Sequence, residues 1–259
     1  MNTAGSTRPP VGPDLRDQTV VVVGGSGGVG EGVVRALLSS GATVVATGRH
    51  TERLDAMRAR VEDPAMTGRL LTATLDAEAS DLDARVADLA ARHGAFDGVV
   101  VSVASWGDQG RAAALSLTDQ QWDDLLSANL TSVFRLFRAF APVTVPTGTI
   151  MQLNGRSADI PFPGSAGVAL SAAATKSLTR TIAAELDGRG PRFYQVILGV
   201  VRTRARQAVG IDDPRWLTGE DVGAHVANLV AGTGPLVGTT VQYLLDRVQG
   251  PVGEDEARR

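Results

Sequence analysis

The chain has 259 residues, 43% apolar and 20% charged, which excludes a disordered, collagen-like or disulfide-stapled protein. A formal net charge of −3 argues against nucleic acid or an anionic membrane surface as partner, because both need a basic face. Cysteine is absent, and His50, His93 and His225 lie far apart in no ligand spacing, so neither thiolate chemistry nor a metal is expected.

No apolar run approaches the ~20 residues of a membrane span. Residues 1–16 are polar and rich in Pro and Gly, and are expected as a flexible tail rather than a signal peptide, with the cytoplasm as default location. A β-branched run, Thr19–Val23, reads as a strand buried on both faces. Helical spacing over 28–40 stops at Gly41, and a second strand follows at 43–47. A helix at 53–61 and a strand at 70–75 come next. Residues 80–93 read as a helix opened by a Ser80/Asp83 capping pair and closed by Gly94. Strand four is expected at 98–103, and one long helix at 118–141, opened by Thr118 and Gln121. Strand five (149–153), an Ala-rich helix (167–186), strand six (193–198), a helix (218–231) and strand seven (239–245) complete the series. Residues 251–259 are polar and expected to fray. Strict alternation of strand and helix predicts a single α/β domain over residues 17–250, a doubly wound parallel sheet of about seven strands with helices on both faces.

Between the first strand and helix stands Val23-Gly24-Gly25-Ser26-Gly27-Gly28-Val29-Gly30. Glycines here permit a tight turn and close approach of backbone to a pyrophosphate, and the helix N-terminus supplies N–H donors. With these residues the chain resembles the short-chain dehydrogenase/reductase (SDR) family, from about Asp17 to Gly250, and the expected fold is Rossmann-like. Gly24, Gly28 and Gly30 match the family's spaced glycines, with Val23 where a Thr usually stands. The resemblance assigns Ser26, Val29, Asp76, Ala77, Ala104 and Thr203 to cofactor contacts. Leu198 replaces the proline of the loop after strand six, and Ser102-Val103-Ala104-Ser105 replaces the NNAG usual after strand four. Strand two ends in Gly48-Arg49 rather than an acid, so a 2′-phosphate and hence NADP(H) is expected.

The family's proton relay uses Ser, Tyr 13 residues later and Lys four after that. Counts from both flanking elements place these positions at Gly155, Val168 and Ala172, which carry no proton donor. Asn129 matches the fourth relay residue. Asn154 and Arg156 remain as polar candidates near the substrate, and Asp159 as a base if desolvated. Lys176, the only lysine, is expected on a helix surface or subunit interface, and Tyr194 and Tyr243 as core or interface aromatics. Two functions stand open. One is an atypical NADP(H)-binding enzyme acting on a small organic substrate, by hydride transfer or redox-neutral chemistry. The other is a non-catalytic cofactor sensor or partner subunit. The resemblance also implies a homo-oligomer, packed through its fourth and fifth helices.

Overall fold

The computed structural model describes residues 12–63 and 68–257. Eight strands form one sheet in the order β3-β2-β1-β4-β5-β6-β7-β8. They are β1 (Thr19–Val23), β2 (Thr43–Gly48), β3 (Arg69–Thr74), β4 (Phe96–Val101), β5 (Thr144–Gly155), β6 (Arg192–Leu198), β7 (Val241–Leu244) and β8 (Pro251–Gly253). All pairs are parallel except β7–β8. The chain runs outward from β1 to β3 and returns to β4 beside β1. A crevice therefore opens at the carboxyl ends of β1 and β4, where such sheets bind ligands.

Side chains of β6 alternate as a strand requires. Tyr194, Val196 and Leu198 join one core, and Phe193 the other. Helices α1 (Gly28–Ser39), α2 (Thr51–Val61) and α8 (Gly219–Val230) cover the first face. Helices α3 (Leu82–His93), α5 (Ser132–Phe140) and α6 (Ala166–Leu186) cover the second. Three short helices, α4 (Asp119–Leu126), α7 (Arg204–Ala208) and α9 (Glu254–Ala257), complete the set. Val20–Val22 are fully buried, which explains why β1 reads as an unbroken apolar run.

Four expectations need correction. The helix read over 118–141 is two helices, α4 and α5, joined by a π turn at Ser127–Thr131. There Ser132 N–H reaches back to Ser127 O, while the Asn129 amide donates to Leu125 O at 2.8 Å. A side chain inserted into the helical ladder in this way is a recognised cause of such a break. Ser80 does not cap α3; the N-cap is Asp81, whose carboxylate pairs with Arg85 instead. Of the C-terminal residues expected as a frayed tail, the described ones, 251–257, form regular secondary structure. Pro251–Gly253 add an eighth strand antiparallel to β7, and α9 follows. At the other end, Leu15 is fully buried and its N–H bonds Ser40 O at 2.8 Å, so the expected flexible tail ends before it. Residues 1–11 lie outside the described residues.

Candidate active site

The glycine turn lies at the mouth of the crevice. Gly24 has φ +82°, and a Cβ on it would stand 2.3 Å from the Ser102 carbonyl oxygen at the end of β4. A Cβ on Gly30 would stand 2.2 Å from Gly24 O, so α1 seats directly on the turn. Gly27 closes the turn through its N–H to Gly24 O at 2.9 Å and serves as N-cap of α1, with no side-chain acceptor. The first-turn N–H groups and the positive end of the helix are thus left for an anion. Gly28 faces Thr203, whose Cβ would lie 2.8 Å from a Cβ on Gly28. Val29 packs against the core.

The cleft beside this turn holds about 170 Å³. Of the residues expected to meet cofactor, Gly24, Ser26, Arg49, Asp76, Ala77 and Ala104 line it. Gly28 opens instead toward a neighbouring groove with Arg202 and Arg204, while Gly30 abuts Gly24, Thr203 abuts Gly28 and Val29 packs on the core, none of these three lining the cleft. His50, Arg53, Ser102 and Ser105 also line the cleft and were not foreseen. Arg53 sits in the first turn of α2 and joins Arg49 on one rim; its nearness to Arg49 in sequence was the available signal. Among the described residues neither arginine makes a hydrogen bond or ion pair. A larger cavity, about 540 Å³, opens around the start of β6, among Thr147, Arg192 and Tyr194. Arg192 there donates to Thr147 O at 3.2 Å and Tyr194 to Val237 O at 2.6 Å, so its polar groups are structural.

The positions of interest for proton transfer do not line this cleft; they stand at the end of β5 and on α6. Gly155, at the end of β5, is exposed, Val168 is half-buried and Ala172 is buried. Asn129 accepts from Ser105 N–H and donates to Ser105 O, both at 2.8 Å, besides its bond to Leu125 O. It therefore braces the loop after β4. Asn154 donates to Ala172 O at 3.0 Å and accepts from Gly155 N–H at 2.8 Å, tying β5 to α6. The side chain of Arg156 is exposed, and among the described residues it has no ion pair. Asp159 turns away to an ion pair with Lys176 and accepts from the Tyr243 hydroxyl at 2.9 Å.

Lys176 thus departs from the surface expectation: it is 7% exposed, bonds Tyr243 Oη at 3.2 Å, and lies 3.6 Å from Glu254 of α9. Burial alone lowers its pKa, but the bonds and charges of Asp159 and Tyr243 outweigh that, and the net shift is upward. Burial, with Asp159, pushes the Tyr243 phenol up despite the opposing pull of Lys176. A catalytic phenol needs the opposite shift. No group of metal-ligating side chains occurs among the described residues, and no described helix is long and apolar enough to cross a membrane.

A doubly wound sheet with an uncapped, glycine-cradled helix N-terminus at its switch point defines a dinucleotide-binding α/β protein. The chain belongs to the short chain dehydrogenase family, whose pattern matches residues 18–213. It is 27% identical over 201 residues to gluconate 5-dehydrogenase of Gluconobacter oxydans, across 77% of each chain. It is 30% identical over 194 residues to 3beta-hydroxysteroid dehydrogenase 1 of Eggerthella lenta, across 73% of each. A short-chain dehydrogenase/reductase from Serratia marcescens superposes with TM-score 0.75 at 25% identity, over 88% of this chain and 95% of that one. The family is one of oxidoreductases using nicotinamide cofactors, and the residues at the turn fit such a group. Two glycines stand where a Cβ would strike backbone, the helix end has no cap, and two unpaired guanidinium groups flank the end of β2.

Proposed function

We propose that the chain is an atypical member of its family. It binds NADP(H) at the β1–β4 cleft and acts on a small organic substrate without the Ser–Tyr–Lys relay. The observation that carries the cofactor choice is the rim at the end of β2. Arg49 and Arg53 stand there unpaired, with Gly48 in place of a carboxylate. A guanidinium offers a 2′-phosphate charge-assisted, forked hydrogen bonds, whereas a diol is better served by an acid.

A nicotinamide dinucleotide, when bound, supplies or accepts hydride. The chain's own contribution is to hold and orient. First-turn N–H groups of α1 face the pyrophosphate, Arg49, Arg53 and Ser26 the 2′-phosphate, and Asp76 and Ala77 the adenine. Thr203 lies opposite Gly28 toward the nicotinamide end. At the reacting end Gly155, Val168 and Ala172 hold no titratable group, and both asparagine amides are committed to backbone. The chain then suits an acceptor that takes hydride without a side-chain acid, such as a conjugated enone, iminium or quinone methide, with water protonating the product. A redox-neutral reaction in the same pocket is the variant of this reading. The commitment of Asn129, Asn154 and Asp159 to structural bonds favours a second reading, a non-catalytic cofactor sensor or partner subunit.

Fluorescence titration with NADPH and NADH, followed by NADPH oxidation with a panel of enones, tests the proposal. Preferential NADPH binding with enone-dependent oxidation is expected. Binding with no turnover on any acceptor supports the sensor, and no binding of either nucleotide overturns the cofactor reading and leaves the redox-neutral pocket or the partner subunit. A homo-oligomer is proposed as well, supported by exposed Phe134 on α5 and Leu170 on α6; a monomer by light scattering counts against it.

A further inference from the structure

The loop after β4 and the loop after β5 meet above the carboxyl ends of the strands. Ala112 forms a parallel bridge with Ser165, and Ala112 N–H donates to Gly164 O at 3.2 Å. Arg111 stands at this seam. Its stem packs on Gly164, where a Cβ would lie 3.3 Å from Arg111 Cβ. Its guanidinium carbon lies 4.7 Å from the Phe162 ring centroid and 5.4 Å from that of Trp106. Both rings belong to braced backbone. Ser165 bonds Phe162 O through N–H and hydroxyl, and Gln109 bonds Trp106 O. Trp106 directly follows Ser105, a wall of the cofactor cleft.

Ring contacts hold this cation against two aromatic side chains but satisfy none of its five N–H donors in the way an acceptor would. Among the described residues Arg111 has neither ion pair nor hydrogen bond, and Asp108, the one carboxylate on its loop, makes none with it. Arg156, at the end of β5, is a second unpaired cation, while Asp159 on the same loop is neutralised by Lys176. The loops after β4 and β5 thus carry two unpaired cations in a protein of net charge −3. A guanidinium held beside aromatic rings with its N–H fork free matches a planar carboxylate with two parallel hydrogen bonds.

We propose that Arg111 is a specificity-determining residue and that the substrate is a carbonyl or enone compound bearing a carboxylate, with flat carbon skeleton against Trp106 and Phe162. This rests on the reading of the cleft as the active site. Its test has two independent readouts. Calorimetric titration uses 4-acetylbenzoate and 4-oxopentanoate against their methyl esters, with and without NADPH. Each acid is expected to bind about tenfold tighter than its ester, the scale of a charge-assisted pair. Arg111→Gln erases that ratio, and Arg111→Lys, which keeps the charge but loses the fork, restores part of it. Both variants retain wild-type affinity for NADPH. Equal binding of acid and ester, no binding of either acid, or a ratio unchanged in Arg111→Gln overturns the proposal. Loss of NADPH binding with the acid preference intact instead overturns the cofactor reading and leaves this one standing.

Discussion

Substituting Gly48→Asp places a carboxylate where the 2′-phosphate of NADP(H) is assigned. The site can accept the side chain. Gly48 has no left-handed φ, and a Cβ there would meet Ser26 Oγ at 3.3 Å and Leu54 Cδ2 at 3.6 Å, both side-chain atoms able to shift. The fold should therefore survive, and the change is electrostatic. Two unit charges about 5 Å apart repel by about 3 kcal/mol at an effective dielectric near 20, and by about 1 kcal/mol in bulk water. The rim is open to solvent, so the loss falls between these limits, a rise of ~5- to 150-fold in Kd for NADPH. NADH carries a diol at that position and gains acceptors for it, so its Kd should fall by ~2- to 10-fold. Fluorescence titration of both nucleotides reads the two effects together, and raised salt should shrink the NADPH penalty. A folded variant whose NADPH affinity is unchanged, or whose NADH affinity drops equally, would refute the assignment of this rim to the 2′-phosphate.

Gly30→Ala drives a Cβ against the backbone oxygen of Gly24 and should remove nucleotide binding, with a fall in melting temperature. Gly28→Ala meets only the Thr203 side chain and should be milder in both, which paired titrations and melting curves check. Lys176→Met strips the partner from Asp159. Breaking a fully buried pair costs about 3–5 kcal/mol, and with a quarter of the Asp159 side chain exposed we expect about 2, or ~4–8 °C in melting temperature. Adding Asp159→Asn should recover part of that loss; a Lys176→Met variant melting like wild type would count against the pair. Burial lowers the pKa of His225 from 6.5, and the neighbouring Gln242 side chain opposes it only in part. Below pH 6.5 the unfolded chain then binds the proton more readily, so stability falls as pH drops from 7 toward 5. His225→Leu should flatten that slope in pH-dependent melting.

The strands were legible because burial on both faces leaves a direct mark. Val20–Val22 are apolar at successive positions, and all are fully buried. Glycines of the turn were legible for a similar reason, since backbone contact at Gly24 and Gly30 admits no other residue. What escaped depends on partners distant in sequence. The π turn arises when the Asn129 amide takes a carbonyl of its own helix while bracing Ser105, and no helical periodicity records that. Strand β8 is three residues long and begins with Pro251, a weak strand signal. It exists through pairing with β7 and through Glu254, which reaches Lys176 and Arg180. Lys176 read as a surface residue because Asp159, Tyr243 and Glu254 come from three separate segments.

That same cluster bears on the chemistry. A lysine and a tyrosine in hydrogen-bond contact, on a helix leading from the assigned substrate end, invite comparison with a displaced proton relay. Three facts speak against it. Lys176 lies four residues beyond Ala172, about 6 Å along α6 by helical rise. Its charge is met by Asp159, so little is left to stabilise a phenolate. The Tyr243 phenol is shifted up, not down, and its hydroxyl donates its hydrogen bond to Asp159. The triad therefore acts as a clasp between α6, the loop after β5 and β7, with Glu254 drawing α9 onto it. On the proposed function, a reaction at this site takes its proton from water or needs none, and an activated acceptor, anchored by its charge at the proposed Arg111 contact, is expected to react where a simple ketone does not.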